Sequence, residues 1–569
     1  MDNEQNQQAR INPNMKEKDQ DVVKQILAEY DLYEEQSQEV RNTWVDCYDA
    51  YKTMTASNDN PYLSNLAIPK AHEATEMLTA FLVGSGQIVR AKPGNRETTS
   101  AQADFIQKLI QEQWDEELNA KEKVETWAKE GILLGTAVMK VGWLDDKDKE
   151  LDVPFLECVE MPNFYADYFT KEMQEQHSVI HEIIKTEEKV KNDATYKNSE
   201  NIEFVQAKDE NVTELEFAGN EQTVDEKNVI KKVKLLEHWT VDNITTIAEA
   251  KEGWVLLRKD KNPYGFIPFV VFRYKTSPLP NRFYGIGAIE PALNILKAIN
   301  MTINQMFDNI TLINQKGWII RRGASISPSD LTAKPGWVIT CSDPRNDIIP
   351  IEVSDIKQSI ELLYDKLDNE FQQATGAIDL LKGIPGSDTA TEAAIGQKNA
   401  TTLIDRVVDH YRDGLKELGS MLAKVNIENL TTNQTVKMME TQDKDLWLEV
   451  SPEELQNGDY RIEFVVDRTT NNDKVIMAKQ LIDFLTLVAN DPNVRVNRPK
   501  LYKKWLELQG FNDVDFFFEQ ENMANQMADM TGQVSLGGGN EMPNQGLPGN
   551  QMAGQTAEAM SPVMQPTNI

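Results

Sequence analysis

The chain is poor in the residues from which most reactive sites are built. It has three cysteines (Cys47, Cys158 and Cys341) and five histidines in 569 residues. The cysteines are widely separated, odd in number and form no CxxC. That argues against a disulfide framework or a zinc site and for a reducing compartment. No apolar run approaches the roughly 18 residues that a membrane helix needs. The opening "MDNEQNQQARINPN" has no apolar core of a signal peptide, so the expectation is a soluble, cytoplasmic protein. Positive charge is also scarce: 59 Lys and Arg stand against 91 Asp and Glu, a net −32. Gripping nucleic acid through its phosphates needs clustered Lys and Arg, so that mode is disfavoured. Letting nucleic acid slide past a repelling wall is compatible with this charge.

Nucleotide and catalytic signatures are missing as well. GxxxxGK[ST] does not occur. The GxG at Gly285 and Gly287 opens "RFYGIGAIEPALNILKAINMTINQMFDNITLINQ" (Arg282–Gln315), but Glu290 stands where a dinucleotide fingerprint needs its third glycine. With Pro291 beside it, the pair reads as a flexible lead-in to a helix. His177 and His181 have the i, i+4 spacing of a metal pair on a helix. The alternating Val179, Ile183 and Ile184 around them favour a strand carrying two partly exposed histidines. The acidic run "DDKDKELD" (Asp145–Asp152) is interleaved by Lys147 and Lys149 and lacks a calcium-loop glycine, so it reads as a solvated turn. No catalytic residue, metal ligand or cofactor site is predicted.

What the sequence does contain is architecture of the α+β class, long enough for about three or four domain-sized units. Residues 1–15 read as a disordered lead. A helical pattern follows from Lys16 to Met54, with Val40, Trp44, Cys47 and Tyr51 on one face. Another helix starts near Pro69, and a third helical stretch runs from about Ala101 to Gly131. "TAVMKVGWLDDKDKELDVPFLECVEM" predicts a β-hairpin, and residues 185–230 an exposed, charged excursion. "IKKVKLLEHWTVDN" and "EGWVLLRKDKNPYGFIPFVVFRYK" add more β-structure.

In Arg282–Gln315, Ile289, Leu293, Leu296, Ile299, Ile303, Met306, Ile310 and Ile313 form an apolar stripe over about seven turns, some 35–40 Å at 1.5 Å per residue. Its other faces carry Asn294, Asn300, Asn304, Gln305 and Asn309. Neutral amides suit contact with neighbouring subunits, because hydrogen bonds satisfy them without desolvating ions. The competing reading is a core helix of one large domain. Lys316–Val353 reads as a compact module of short strands. A helix over about Asp355–Thr375 should bury Ile356, Ile360, Leu363, Leu367 and Phe371. After the loop Gly376–Asp388, Thr389 and Glu392 have capping-box spacing and open a helix to about Asn429. β-Structure and a further helix follow, and the last fifty residues, rich in Met, Gln, Asn and Gly, default to disorder.

This order of parts resembles bacteriophage portal, or head-to-tail connector, proteins, similar to those of short-tailed phages of the P22 group. "GTAVMKVGW", "VEMPNFYADYF", "FIPFVVFRYKTSPLPNRFYGIGAIEPALN", "ATGAIDLLKG" and "GDYRIEFVVDR" carry the likeness, which covers most of Lys16–Gln520. The resemblance implies a homo-oligomeric ring, usually of twelve subunits, at one capsid vertex of the virion, assembled in the host cytoplasm. It implies a wing (residues 16–282, with its helix and β return at 389–472), stem helices (283–315 and 355–375), a clip (316–354), a tunnel loop (376–388) and a helical crown (473–520). A Met/Gln/Gly-rich tail (521–569) and the 185–230 excursion have no counterpart.

By the same resemblance Ile378, Asp379, Leu380, Leu381, Lys382 and Gly383 would face the DNA channel. Asn300, Ile303, Asn304, Met306 and Phe307 would line the contact between subunits. Trp318, Arg321, Arg322 and Trp337 would meet partners at the clip. Those partners would be the terminase large subunit and then the head–tail adaptor, with the major capsid protein and scaffolding protein elsewhere. Double-stranded DNA would pass through without sequence-specific binding. The family implies no enzymatic activity and no cofactor. Two other readings stay open on the residues alone: a metal-dependent phage nuclease using the histidine pair, and a non-viral helical scaffold or adaptor.

Overall fold

A computed structural model describes residues 10–54, 63–84, 87–95, 98–146, 151–197, 202–205, 231–315, 317–324, 338–341, 345–355, 357–376, 390–429, 434–439, 446–450 and 460–466, with a few isolated residues besides. The chain divides into two compact units, Met1–Arg468 and Thr469–Ile569. The elements below belong to the first. The predicted crown and C-terminal tail lie almost wholly outside the described residues.

Helix α1 (Glu17–Lys52) buries Val23, Ile26, Leu27, Tyr30, Tyr33, Trp44 and Cys47, and stops where Thr53 turns left-handed at φ 55. Helix α2 (Lys70–Val83) begins directly after Pro69. Strand β1 (Gln87–Pro93) follows. The single helical stretch expected over 101–131 is two helices, α3 (Ser100–Glu112) and α4 (Ala120–Leu134), separated by a π-helical turn at Gln113–Glu117. Asn119 adopts a left-handed φ of 46 there, a conformation that asparagine tolerates better than most residues. Periodicity is blind to one reversed residue of this kind.

The predicted hairpin is β2 (Thr136–Asp146) and β3 (Leu151–Val159), joined on the other side of β2 by β9 (Phe269–Arg273). A five-stranded antiparallel sheet runs β4 (Phe164–Ala166), β5 (Val179–Thr186), β6 (Lys232–Trp239), β7 (Asn243–Ala250) and β8 (Gly253–Lys261) in spatial order. Helix α1 lies on this sheet, packing Tyr30 and Tyr33 against Tyr165, Ile180, Leu236 and Ile247. Residues 10–15 join that core: Ile11 is buried and bridges to Trp254. The packed chain therefore starts earlier than its polar composition suggests. The charged excursion is likewise partly folded, since it opens with helix α5 (Glu187–Asn192) and buries Val190, Tyr196 and Phe204. Residues 206–230 lie outside the described ones.

Helix α6 (Leu293–Asn314) follows the GxG segment, and α7 (Lys357–Thr375) packs beside it. Between them β10 (Trp318–Ile320) and β11 (Ile348–Pro350) form a two-stranded sheet. On α7, Ile360 and Phe371 are buried as expected, but Leu363 is 47% exposed, and Ile356 lies outside the described residues. Helix α8 (Ala390–Asn429) packs into a core shared with α4 and β9, with Tyr411 against Trp127 and Phe272. Strands β12 (Gln434–Met439) and β13 (Leu446–Val450) pair with each other. Strand β14 (Tyr460–Val466) returns across the whole chain to pair antiparallel with β1.

Candidate functional site

The start of α6 is clasped rather than flexible. Gly135, just after α4, has φ +85, and its carbonyl would lie 2.5 Å from any Cβ placed on Gly285. A Cβ on Gly287 would lie 2.6 Å from the Leu133 carbonyl. Hydrogen bonds close the contact: Gly285 N donates to Thr136 Oγ1 at 2.7 Å, and Ala288 N to the Ile132 carbonyl at 2.8 Å. The GxG thus permits backbone to meet backbone. This replaces the expectation of a loose lead-in, and the reason is steric.

The amide face of α6 meets this chain's own backbone. Residues 64–68 run extended along it, ahead of α2. Asn300 Oδ1 accepts from Ile68 N at 3.0 Å, Asn304 Oδ1 from Leu66 N at 2.8 Å, and Asp308 Oδ1 from Ser64 N at 2.7 Å. Asn304 Nδ2 also donates to the Leu66 carbonyl at 3.0 Å. Four helical residues rise about 6 Å and two extended residues about 6.6 Å, so every fourth helical side chain meets every second amide for about three rungs. Asn304 thus uses both its amide oxygen and nitrogen, and Asn300 its oxygen, on this chain's own backbone, where a neighbouring subunit was the expected partner. Of their companions, Ile303 and Met306 are half-buried and Phe307 is exposed. Met301 is 62% exposed, Phe307 46%, Ile310 41% and Leu312 55%, so the flanks beside the strap are bare and apolar.

In the β10–β11 module Trp318 stands opposite Pro350. Arg321 Nη2 lies 3.3 Å from Asp347 Oδ1, and Arg321 N donates to the Asp347 carbonyl at 3.0 Å. Arg322 is exposed in the turn before Gly323. Trp337 and the proposed channel residues Ile378, Asp379, Leu380, Leu381, Lys382 and Gly383 lie outside the described residues.

The two histidines are set apart by burial. His181 is on β5, 5% exposed and opposite Glu237, whereas His177 precedes the strand, with 76% of its side chain exposed. Burial, and then the charge of Lys140, lowers His181 to about 3, so it is neutral at ordinary pH. Lys140 Nζ sits 2.7 Å from Glu237 Oε2, which also accepts from Trp239 Nε1 at 3.2 Å. Burial alone would raise Glu237, but Lys140 and His181 pull it down to about 2. This cluster ties the three-stranded sheet to the five-stranded one. Among the described residues no group of three or more His, Cys, Asp or Glu is placed to hold a metal ion, and no helix is long and apolar enough to cross a membrane.

The clasp, the strapped helix and the apolar flanks together define a structural building block. The model of the phage SU10 portal protein family matches residues 147–565. The chain belongs to that family, whose members are structural proteins, and is a phage portal protein. No curated protein matches it significantly.

Proposed function

We propose that copies of this chain close into a ring, most simply of twelve, at one capsid vertex, forming the channel through which double-stranded DNA is packaged, retained and ejected. The observation that carries the proposal is the bare apolar flank of α6 on a chain of this family. Met301, Phe307, Ile310 and Leu312, with Leu362 of α7 at 74% exposure, are exposed large apolar side chains of the kind that mark interaction sites when they cluster. In this reading α6 and α7 are the stem, with Ile303, Met306 and Phe307 at the subunit contact. Asn300 and Asn304 act there indirectly, by fixing the strap. Residues 316–354 are the clip, where Trp318, Arg321, Arg322 and Trp337 meet first the terminase large subunit and then the head–tail adaptor. Residues 376–388 are the tunnel loop, with Lys382 touching phosphates in passing. Capsid and scaffolding proteins contact the wing, and ATP is hydrolysed by the separate terminase.

A channel lined by chains carrying −32 each repels DNA from its walls and lets it move without sticking. Negative-stain images of the purified chain should show closed rings with a central hole. Phe307→Asp should leave folded monomers or small oligomers, because the side chain is already half in water. A wild-type chain that stays monomeric at high concentration refutes the ring.

A further inference from the structure

The β1–β14 ribbon carries a cationic face on a strongly acidic chain. Val89, Ala91, Ile462 and Phe464 are buried against the core, so the alternate residues face outward. These are Ile88, which is 50% exposed, with Arg90, Lys92, Arg461 and Glu463. The register sets Lys92 directly opposite Arg461 and Arg90 opposite Glu463. Like charges directly opposite one another destabilise a sheet, their Cβ atoms being only about 5 Å apart. Lys92 turns away to the diagonal Glu463, at 2.7 Å. Arg90 therefore meets Glu463 only as a nearby charge, and Arg461 has no ion-pair partner among the described residues. Lys416 of α8 adds its charge close to Glu463. Lys92, Lys416 and Arg90 thus act on one carboxylate, with Arg461 on the same ribbon opposite Lys92.

Charged residues on short strands often serve to block edge-to-edge pairing. Here the outer edge of β1 is already covered: Gln111 Oε1 accepts from Val89 N at 2.7 Å and Gln107 Oε1 from Ala91 N at 3.0 Å. The outer edge of β1 therefore needs no protection from Arg90 and Lys92.

We infer that this face docks on an acidic surface of a second copy of the chain. The inference rests on the ring reading and names a contact outside the apolar flank of α6. Two considerations select this partner. Every copy carries a surplus of carboxylates, 91 Asp and Glu against 59 Lys and Arg, so neighbours in a ring repel unless their contact is locally complementary. A ring contact is also heterologous, joining two different patches, so a basic face never has to meet itself. Nucleic acid is the weaker partner, because a few cations on a chain of −32 give little phosphate affinity at physiological salt.

The test uses the full chain and its Arg90→Glu/Arg461→Glu and Arg90→Lys/Arg461→Lys variants. Native mass measurement and sedimentation are read from low to high salt, with circular dichroism as a check on folding. Wild-type rings should weaken as salt rises. The double Glu variant should fold but need about tenfold or more concentration to assemble, since it places like charges in the contact; the Lys variant should assemble normally. If the Glu variant assembles as well as wild type at every salt, the inference is wrong. Duplex DNA bound by wild type and lost in the Glu variant, with assembly unchanged, also overturns it, in favour of a nucleic-acid contact. Wild type monomeric under all conditions refutes the ring itself.

Discussion

Two places in this molecule use one device to very different ends. On α3, Gln107 and Gln111 supply acceptors to alternate amides of β1; on α6, Asn300, Asn304 and Asp308 do the same for residues 64–68. Strand β1 has further support, since β14 pairs along its other edge and Val89 and Ala91 are buried. The strap is in no strand pair, and Leu63 and Leu66 are 51% and 46% exposed. The glutamines complete a structure that packing already specifies, whereas the asparagines hold a strap that packs on the core through Ile68 but leaves Leu63 and Leu66 exposed. Identical geometry therefore gives a global contribution in one place and a local one in the other, because cooperativity follows burial.

Breaking the α3 ladder should have the largest effect. Gln107→Ala/Gln111→Ala leaves two partly buried amides without acceptors and should lower global stability by about 2–4 kcal/mol, read from denaturant midpoints. Asn300→Ala/Asn304→Ala should cost about 1–2 kcal/mol. That loss should appear chiefly as faster hydrogen exchange at Leu66 and Ile68, with the midpoint little changed. If both doubles shift the midpoint equally, the distinction fails.

Neither glutamine titrates, so a pH dependence of core stability reports other groups, and Glu130 is the clearest. It accepts from Met161 N at 2.8 Å, and burial, helped by Glu160, pushes it up from 4.5 to about 8, although part of the side chain still reaches solvent. A folded value above the unfolded one means that its contribution is complete below pH 4.5 and is lost as pH rises through 8. Glu130→Gln should flatten that decline by on the order of 1 kcal/mol, discounted for the partial exposure. An unchanged stability profile from pH 5 to 8 would count against the assignment. Asp308→Asn keeps the acceptor for Ser64 N and should cost less than about 0.5 kcal/mol, with exchange at Ser64 almost unaltered.

Much of this was legible in the sequence. The stripe from Leu293 through Ile313 announced α6, the alternating runs announced the β2–β3 hairpin, and the ordered motifs announced a portal. Side-chain period is a local property, and it survives in any fold that buries one face. The amides on α6 stand out in the sequence too, but a sequence cannot say which backbone will come to meet them.

What only the tertiary structure decided is every partnership between distant residues. It brought β14 back to β1, set Gly285 against Gly135, laid residues 64–68 along Asn300 and Asn304, and enclosed Lys140 with Glu237. It also broke the helix at Asn119 and drew Ile11 into the core. The sequence by itself determined which segments form helices and strands and which family they compose, because those follow from local period and the order of parts. The identity of each contact depends on where the chain returns in space, which packing settles for all segments at once.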